Sequence, residues 1–157
     1  WLISPPGQPD PTVADALATV DRIARADVVT STGAWSPYQV FNHLAQSVEL
    51  SLTGYPEHKP AVFKRTVGRT AFSVFRKRGQ MHHGLDEVIP GAPPLASDGP
   101  LAAALQRLRD ALLAFDAPRG ALAPHFAYGR LDRQQYAVAH AMHLNNHLVE
   151  IVCKPSV

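Results

Sequence analysis

At 157 residues, with 46% hydrophobic and 18% charged side chains, the chain is long enough for one domain with a buried core and too apolar for intrinsic disorder. A formal charge of +2 is too small to indicate nucleic acid, and no apolar run reaches the roughly 18 residues that a membrane span requires. One cysteine, Cys153, excludes an internal disulfide, a cysteine zinc site and a CxxC redox pair, whereas eight histidines direct attention to metal ligation.

Proline interrupts helix interiors, so the proline-free windows mark where helices can run. Residues 1–10 read as an N-terminal extension. Its start, Trp1-Leu2-Ile3 before Ser4-Pro5-Pro6-Gly7, fits either the trimmed end of an apolar leader or an arbitrary boundary. The compartment is accordingly cytoplasmic by default, with export as the alternative. Residues 11–153 read as a single helical domain.

Asp10 and Pro11 predict an N-cap and first helical position, followed by Val13, Leu17, Val20 and Ala24 at helical spacing. Ser36-Pro37-Tyr38-Gln39 predicts a capping box opening a second helix. Its apolar stripe is Val40, Phe41, Leu44, Val48 and Leu52, and Gly54 and Pro56 end it. A third helix is expected within 60–78, with Phe63, Val67, Ala71, Val74 and Phe75 on one face and Arg65, Arg69 and Arg76 opposite. Residues 79–99 hold four glycines and three prolines and read as a long crossover loop. A fourth helix starts around Asp98, Gly99 and Pro100 with a Leu101, Leu105, Leu108, Leu112 stripe. After a turn-rich stretch from Pro118 to Gly129, Asp132 and Gln135 open a fifth helix over about 133–152. No window alternates with the two-residue period of a strand. The fold class is therefore all-α: a four-helix bundle with an additional short helix and a long crossover loop.

His143 and His147 stand four apart on the last helix, about 6 Å from one another on one face. Two imidazoles so placed can share an ion, because metal–nitrogen bonds are about 2.0–2.1 Å long. His140 points roughly the same way but lies two turns from His147. His43, at the edge of the second helix's stripe, supplies a third ligand from a facing helix, the way helix bundles build metal sites. Three histidines leave coordination positions open, which is the pattern of a catalytic site.

The chain resembles the DinB-like superfamily, and within it a branch of unknown function. The resemblance rests on four segments in order: Trp35-Ser36 with Gln39 and Asn42-His43-Leu44; Ile89-Pro90-Gly91 with Pro93; His125-Phe126 with Tyr128-Gly129-Arg130-Leu131; and His143-Leu144 with His147-Leu148. It implies a four-helix bundle with a three-histidine site at His43, His143 and His147, holding a divalent transition metal, Zn²⁺ or Ni²⁺. It further implies a metal-dependent hydrolase or thiol transferase, with a non-catalytic metal- or ligand-binding module as the alternative. One departure stands out: Asn146 occupies a position where that branch carries a further histidine. An amide can hydrogen-bond there but cannot shuttle a proton near neutral pH.

Gln46, Asn146 and Glu150, each near a ligand in sequence, are candidates to orient a ligand or a water on the ion. The adjacent pair His82-His83 points two ways on any regular element and is not read as a metal site. Cys153 reads as a small residue near a helix end rather than a nucleophile. Seven of the 15 basic residues fall in 58–85, which has no acidic residue, but the wheel puts the arginines on the solvated side of the third helix. Phe63, Phe72 and Phe75 read as core. The expected partner is a small-molecule substrate, with no nucleic acid and no membrane span, and with room for a homodimer through a helix face.

Overall fold

The computed structural model describes residues 9–117 and 120–154. The expected leader remnant in residues 1–8 lies outside them. The described chain is mostly helical, with one small sheet.

Helix α1 spans Val13–Ala24 and opens later than Asp10-Pro11 suggests. Its N-cap is Thr12, in a reciprocal capping box with Asp15. Asp10 instead receives the Arg76 guanidinium at 2.7 Å. The box satisfies two backbone donors where an aspartate followed by proline would satisfy fewer. Helix α2, Pro37–Thr53, starts where predicted, the Ser36 hydroxyl accepting from Gln39 N, although the reciprocal bond from Gln39 that would complete the expected capping box is not formed. That same hydroxyl donates to Ser97 O in the long loop at 2.5 Å. Gly54, with φ 109°, ends the helix.

The third helix, α3, is one continuous segment: Ala61–Phe63, a π turn Lys64–Gly68, then Arg69–Arg78. The π turn inserts one residue and rotates everything after it by about 100° relative to an α-helix. The inward face is therefore Gly68 and Phe72, both buried, with Phe75 partly buried beside them, and the predicted face members Val67 and Val74 are exposed. Gly68 earns its place sterically, because a Cβ there would run into the Ala127 carbonyl. Arg65 and Arg69 are solvated as expected.

Helix α4, Leu101–Asp116, begins one residue after Pro100, which takes the N-cap position without a side-chain bond. Helix α5, Arg133–His147, opens with the Asp132–Gln135 capping box. It ends sooner than predicted. A 3₁₀ turn, Leu148–Glu150, leads into a strand, β2, Ile151–Lys154. This strand pairs antiparallel with β1, Val28–Ser31, so the mostly helical chain also carries one small sheet that the helical pattern did not announce. Four residues per strand are too few to show an alternating period, and the β-branched runs Val28-Val29-Thr30 and Ile151-Val152 were the only signal. Cys153 lies exposed on β2 opposite Val29, not at a helix end.

The main core lies among α1, α2, α4 and α5, from Val20 and Ile23 through Val40, Phe41 and Leu44 to Leu108, Leu112, Phe115 and Tyr136. Each large apolar side chain sealed there contributes about 1.5–3 kcal/mol. A second cluster, Phe72, Met81, Val138, Ala139 and Met142, seats α3 and the loop against the other side of α5. The second half of that loop is pinned to the start and middle of α2: Gln46 Nε2 donates to Pro93 O, and the Ser36 hydroxyl to Ser97 O. No helix among the described residues is long and apolar enough to cross a membrane.

Candidate metal centre

Helix α2 is unusual in burying residues Val40 to Val48 without a break, including Asn42, His43, Gln46 and Ser47. Buried polar groups need partners, and most of these have one. Asn42 donates to Tyr38 O and accepts from Arg107, whose guanidinium also grips Glu49 through two bonds of 2.7 and 2.8 Å. That brace fixes the turn of α2 that carries His43.

His43 meets His143 and His147 across the α2–α5 interface. The three ring centroids are each 5.0 Å from the other two. One ligating nitrogen from each ring lies within 4.8 Å of the others, so the three can hold a metal ion. The Nε2 atoms of His43 and His143 are 3.2 Å apart. Two nitrogens on one tetrahedral zinc-like ion are separated by about 3.3 Å, given bonds of about 2.0–2.1 Å. His147 is sealed from solvent, and neither of its ring nitrogens has a hydrogen-bond partner; His43 Nδ1 is likewise buried and unpartnered. An unsatisfied buried polar atom costs about 1–3 kcal/mol, and each ring can give one nitrogen to an ion, so a bound ion would relieve one of the two unpartnered nitrogens of His147.

Electrostatics points the same way. Burial, with the neighbouring His83, pushes His43 down to about 4. Burial, with His43 and His83, pushes His147 to about 3. His143 falls well below the ordinary imidazole value for the same reason, burial first and the surrounding histidines second. Rings that stay neutral keep the lone pair a metal requires.

Tertiary structure closes one side of the triad with Trp35, which meets His43 edge-on at 5.1 Å and lies parallel to His147 at 6.3 Å. The β1–β2 pairing puts it there. Trp35 follows β1 by four residues, His147 precedes β2 by four, and Thr32 N bonds to Glu150 O at 2.9 Å. On another side, His43 and His143 border a cavity of about 280 Å³, also lined by Met81, Ile89, Phe126 and Tyr128.

The remaining candidates scatter. His140 stays out of the triad: Nε2 sits 3.1 Å from Ser51 Oγ, and the ring packs on Phe115 and Tyr136. Ser51 already donates to Val48 O, so it accepts from His140 Nε2–H. Gln46 faces the loop, not a ligand ring. Glu150 stands over Gly33, where its carboxylate would meet any added Cβ. Asn146 reaches His83 O at 3.5 Å and so borders the loop beside the site.

His83 is the residue that sequence reasoning passed over. His82 is exposed, as adjacent positions pointing two ways require, but His83 turns inward. Its ring lies 4.7 Å from His143 and 5.5 Å from His147. Its Nδ1 is 2.8 Å from Gly84 O, and a carbonyl only accepts, so Nδ1 carries the proton. No periodicity places a loop residue, and the sole hint was that one of two neighbouring histidines has to face in.

A family model matches residues 11–154 of the chain. The chain belongs to the family described as Protein of unknown function (DUF1569). No curated protein and no solved structure matches this DUF1569 chain. The match runs from just before the Thr12 cap to the last residue of β2, so the triad, Trp35, the long loop and the cavity all fall within the DUF1569 region.

Proposed function

We propose that this protein is a metal-dependent enzyme, a hydrolase or thiol transferase acting on a small molecule, built on a DinB-like four-helix bundle of α1, α2, α4 and α5. The observation that carries the reading is the convergence of His43, His143 and His147, one ligating nitrogen from each within 4.8 Å of the others, with both ring nitrogens of the sealed His147 otherwise unpartnered. The ligand order supports the bundle assignment: one histidine comes from an early helix, and two at a four-residue spacing come from the last.

His43, His143 and His147 would hold a divalent ion, zinc or nickel by the all-imidazole donor set. Such an ion supplies Lewis acidity, acidifying a water or thiol and polarising a carbonyl. The chain's own residues do the rest. Arg107, through Asn42 and Glu49, holds the turn that aims His43. Trp35 keeps solvent from one side of the rings, and the cavity beside His43 and His143 receives the substrate.

The test is metal analysis of full-length protein purified without chelator, beside His143→Ala/His147→Ala, followed by an ester, amide and thiol-transfer panel. One equivalent of metal in the wild type, lost in the double variant with helix content kept, together with turnover of a panel member, supports the reading. Metal held tightly with no turnover favours the non-catalytic binding module instead. No metal as purified, and no uptake of added Zn²⁺ or Ni²⁺, overturns both.

A further inference from the structure

The cavity wall carries a polar group whose orientation the fold dictates. His125 opens the short turn 125–129, bridged to Gly129 by backbone bonds of 2.8 and 3.1 Å. Its Nδ1 lies 3.1 Å from both Ala127 N and Tyr128 N. Those amides can only donate, so Nδ1 is an acceptor and the proton of the neutral ring sits on Nε2. Burial, reinforced by His140, His58 and His83, pulls this ring down to about 3, which keeps it neutral at physiological pH. Among the described residues nothing bonds Nε2, yet the atom is not among the sealed, unpartnered ones, and the ring lines the cavity. The ring is stacked on Tyr128 at 4.3 Å and flanked by Phe126 and Tyr55, so it cannot swing away.

Most of the remaining wall is apolar, with Phe63, Met81, Ile89 and Phe126 in it, and Ser47, Lys59, His83 and Glu87 are among its polar members. At about 280 Å³ the cavity is roughly twice the ~150 Å³ that admits benzene, enough for one ring and a short substituent. We infer that the cavity binds a small, largely apolar molecule bearing a carbonyl-type acceptor, and that His125 Nε2–H is the donor that holds it. His125 itself gives nothing to a molecule that offers only a donor, because its ring has no lone pair to spare. This deepens the metal-enzyme reading by naming the substrate class of the same site, and it rests on that reading only for the claim that the molecule is a substrate.

Acetophenone and α-methylstyrene test it, since they share a shape and only the first has an acceptor. Calorimetry on full-length protein, as purified and after chelation, is expected to show acetophenone bound about threefold to tenfold tighter in both, the worth of one neutral hydrogen bond. In His125→Asp the carboxylate can still accept from Ala127 and Tyr128 but offers no donor to the cavity. There the preference is expected to vanish while α-methylstyrene affinity stays. Ring-nitrogen NMR of the unaltered protein gives a check that needs no variant: Nε2 protonated, and its signal shifted by acetophenone. Equal affinities in the wild type, binding of neither probe, or a proton on Nδ1 overturns the inference. Because chelated protein is included, probe discrimination without metal content would sink the enzyme reading alone, and metal content without discrimination would sink this one alone.

Discussion

His147→Leu separates a metal site from an ordinary packed core. In chelated protein the buried imidazole leaves both nitrogens without partners, and an unsatisfied buried donor costs about 1–3 kcal/mol. Leucine fills similar space against Trp35 and His43 with no polar atom, at some cost in fit. The chelated variant is therefore expected to exceed chelated wild type by about 1 kcal/mol, or roughly 2–4 °C in Tm for a chain of this size. Metal reverses the order. At a free-ion concentration a hundred times Kd, binding stabilises wild type by about 2.7 kcal/mol, which raises Tm by about 5–10 °C. The variant keeps two of three ligands and should lose most of that rise. The assay is thermal unfolding followed by circular dichroism, with chelator and then with Zn²⁺. A chelated variant melting several degrees below wild type would show that the ring nitrogens have partners after all. An equal metal-induced rise in both proteins would remove His147 from the ligand set.

Other expectations concern the scaffold. His140 is held at about 3 by burial, against an ordinary 6.5, so protonation favours the unfolded chain. Its contribution is complete above 6.5 and is lost as pH falls toward 3, by about 1.4 kcal/mol per pH unit. The buried His43, His125, His143 and His147 add slopes of their own over the same window, so urea unfolding should show their sum, and His140→Gln, which can still donate to Ser51, should reduce it by about 1.4 kcal/mol per pH unit; an unchanged slope would contradict the assignment. Gly68→Ala pushes a Cβ into the Ala127 carbonyl and should cost about 1–3 kcal/mol, while lowering probe affinity for the cavity beside that turn; wild-type stability in the variant would contradict the close approach. Leu108→Ala, in the main core, should cost about 2–5 kcal/mol yet leave metal stoichiometry unchanged at low temperature. Thr12→Ala should cost about 1 kcal/mol, more than Asp10→Asn at the half-exposed Arg76 pair, as urea midpoints will show.

Much of the scaffold was legible in the sequence because it depends on neighbours along the chain. Ser36-Pro37 and Asp132 with Gln135 satisfy helix donors within one turn, and the leucines of α4 repeat at helical spacing, so those starts and faces required no tertiary knowledge. The four-residue spacing of His143 and His147 belongs to the same class. The π turn at Lys64–Gly68 was not legible, because propensity does not mark an inserted residue, and the approach of Gly68 to the Ala127 carbonyl joins segments far apart in the chain. Nor was the end of α5, where pairing with β1 captured Ile151–Lys154 from a helix that local preference would have extended.

The site divides along the same line. Sequence by itself determined which side chains could ligate and put two of them on one helix face. Only the tertiary structure decided that His43 meets them, that Trp35 seals them and that His83 turns inward. It alone decided, too, that His125 presents a proton to the cavity. Each of those facts joins residues from different elements, and their geometry follows from packing and from backbone hydrogen bonds between distant segments, which no local pattern encodes.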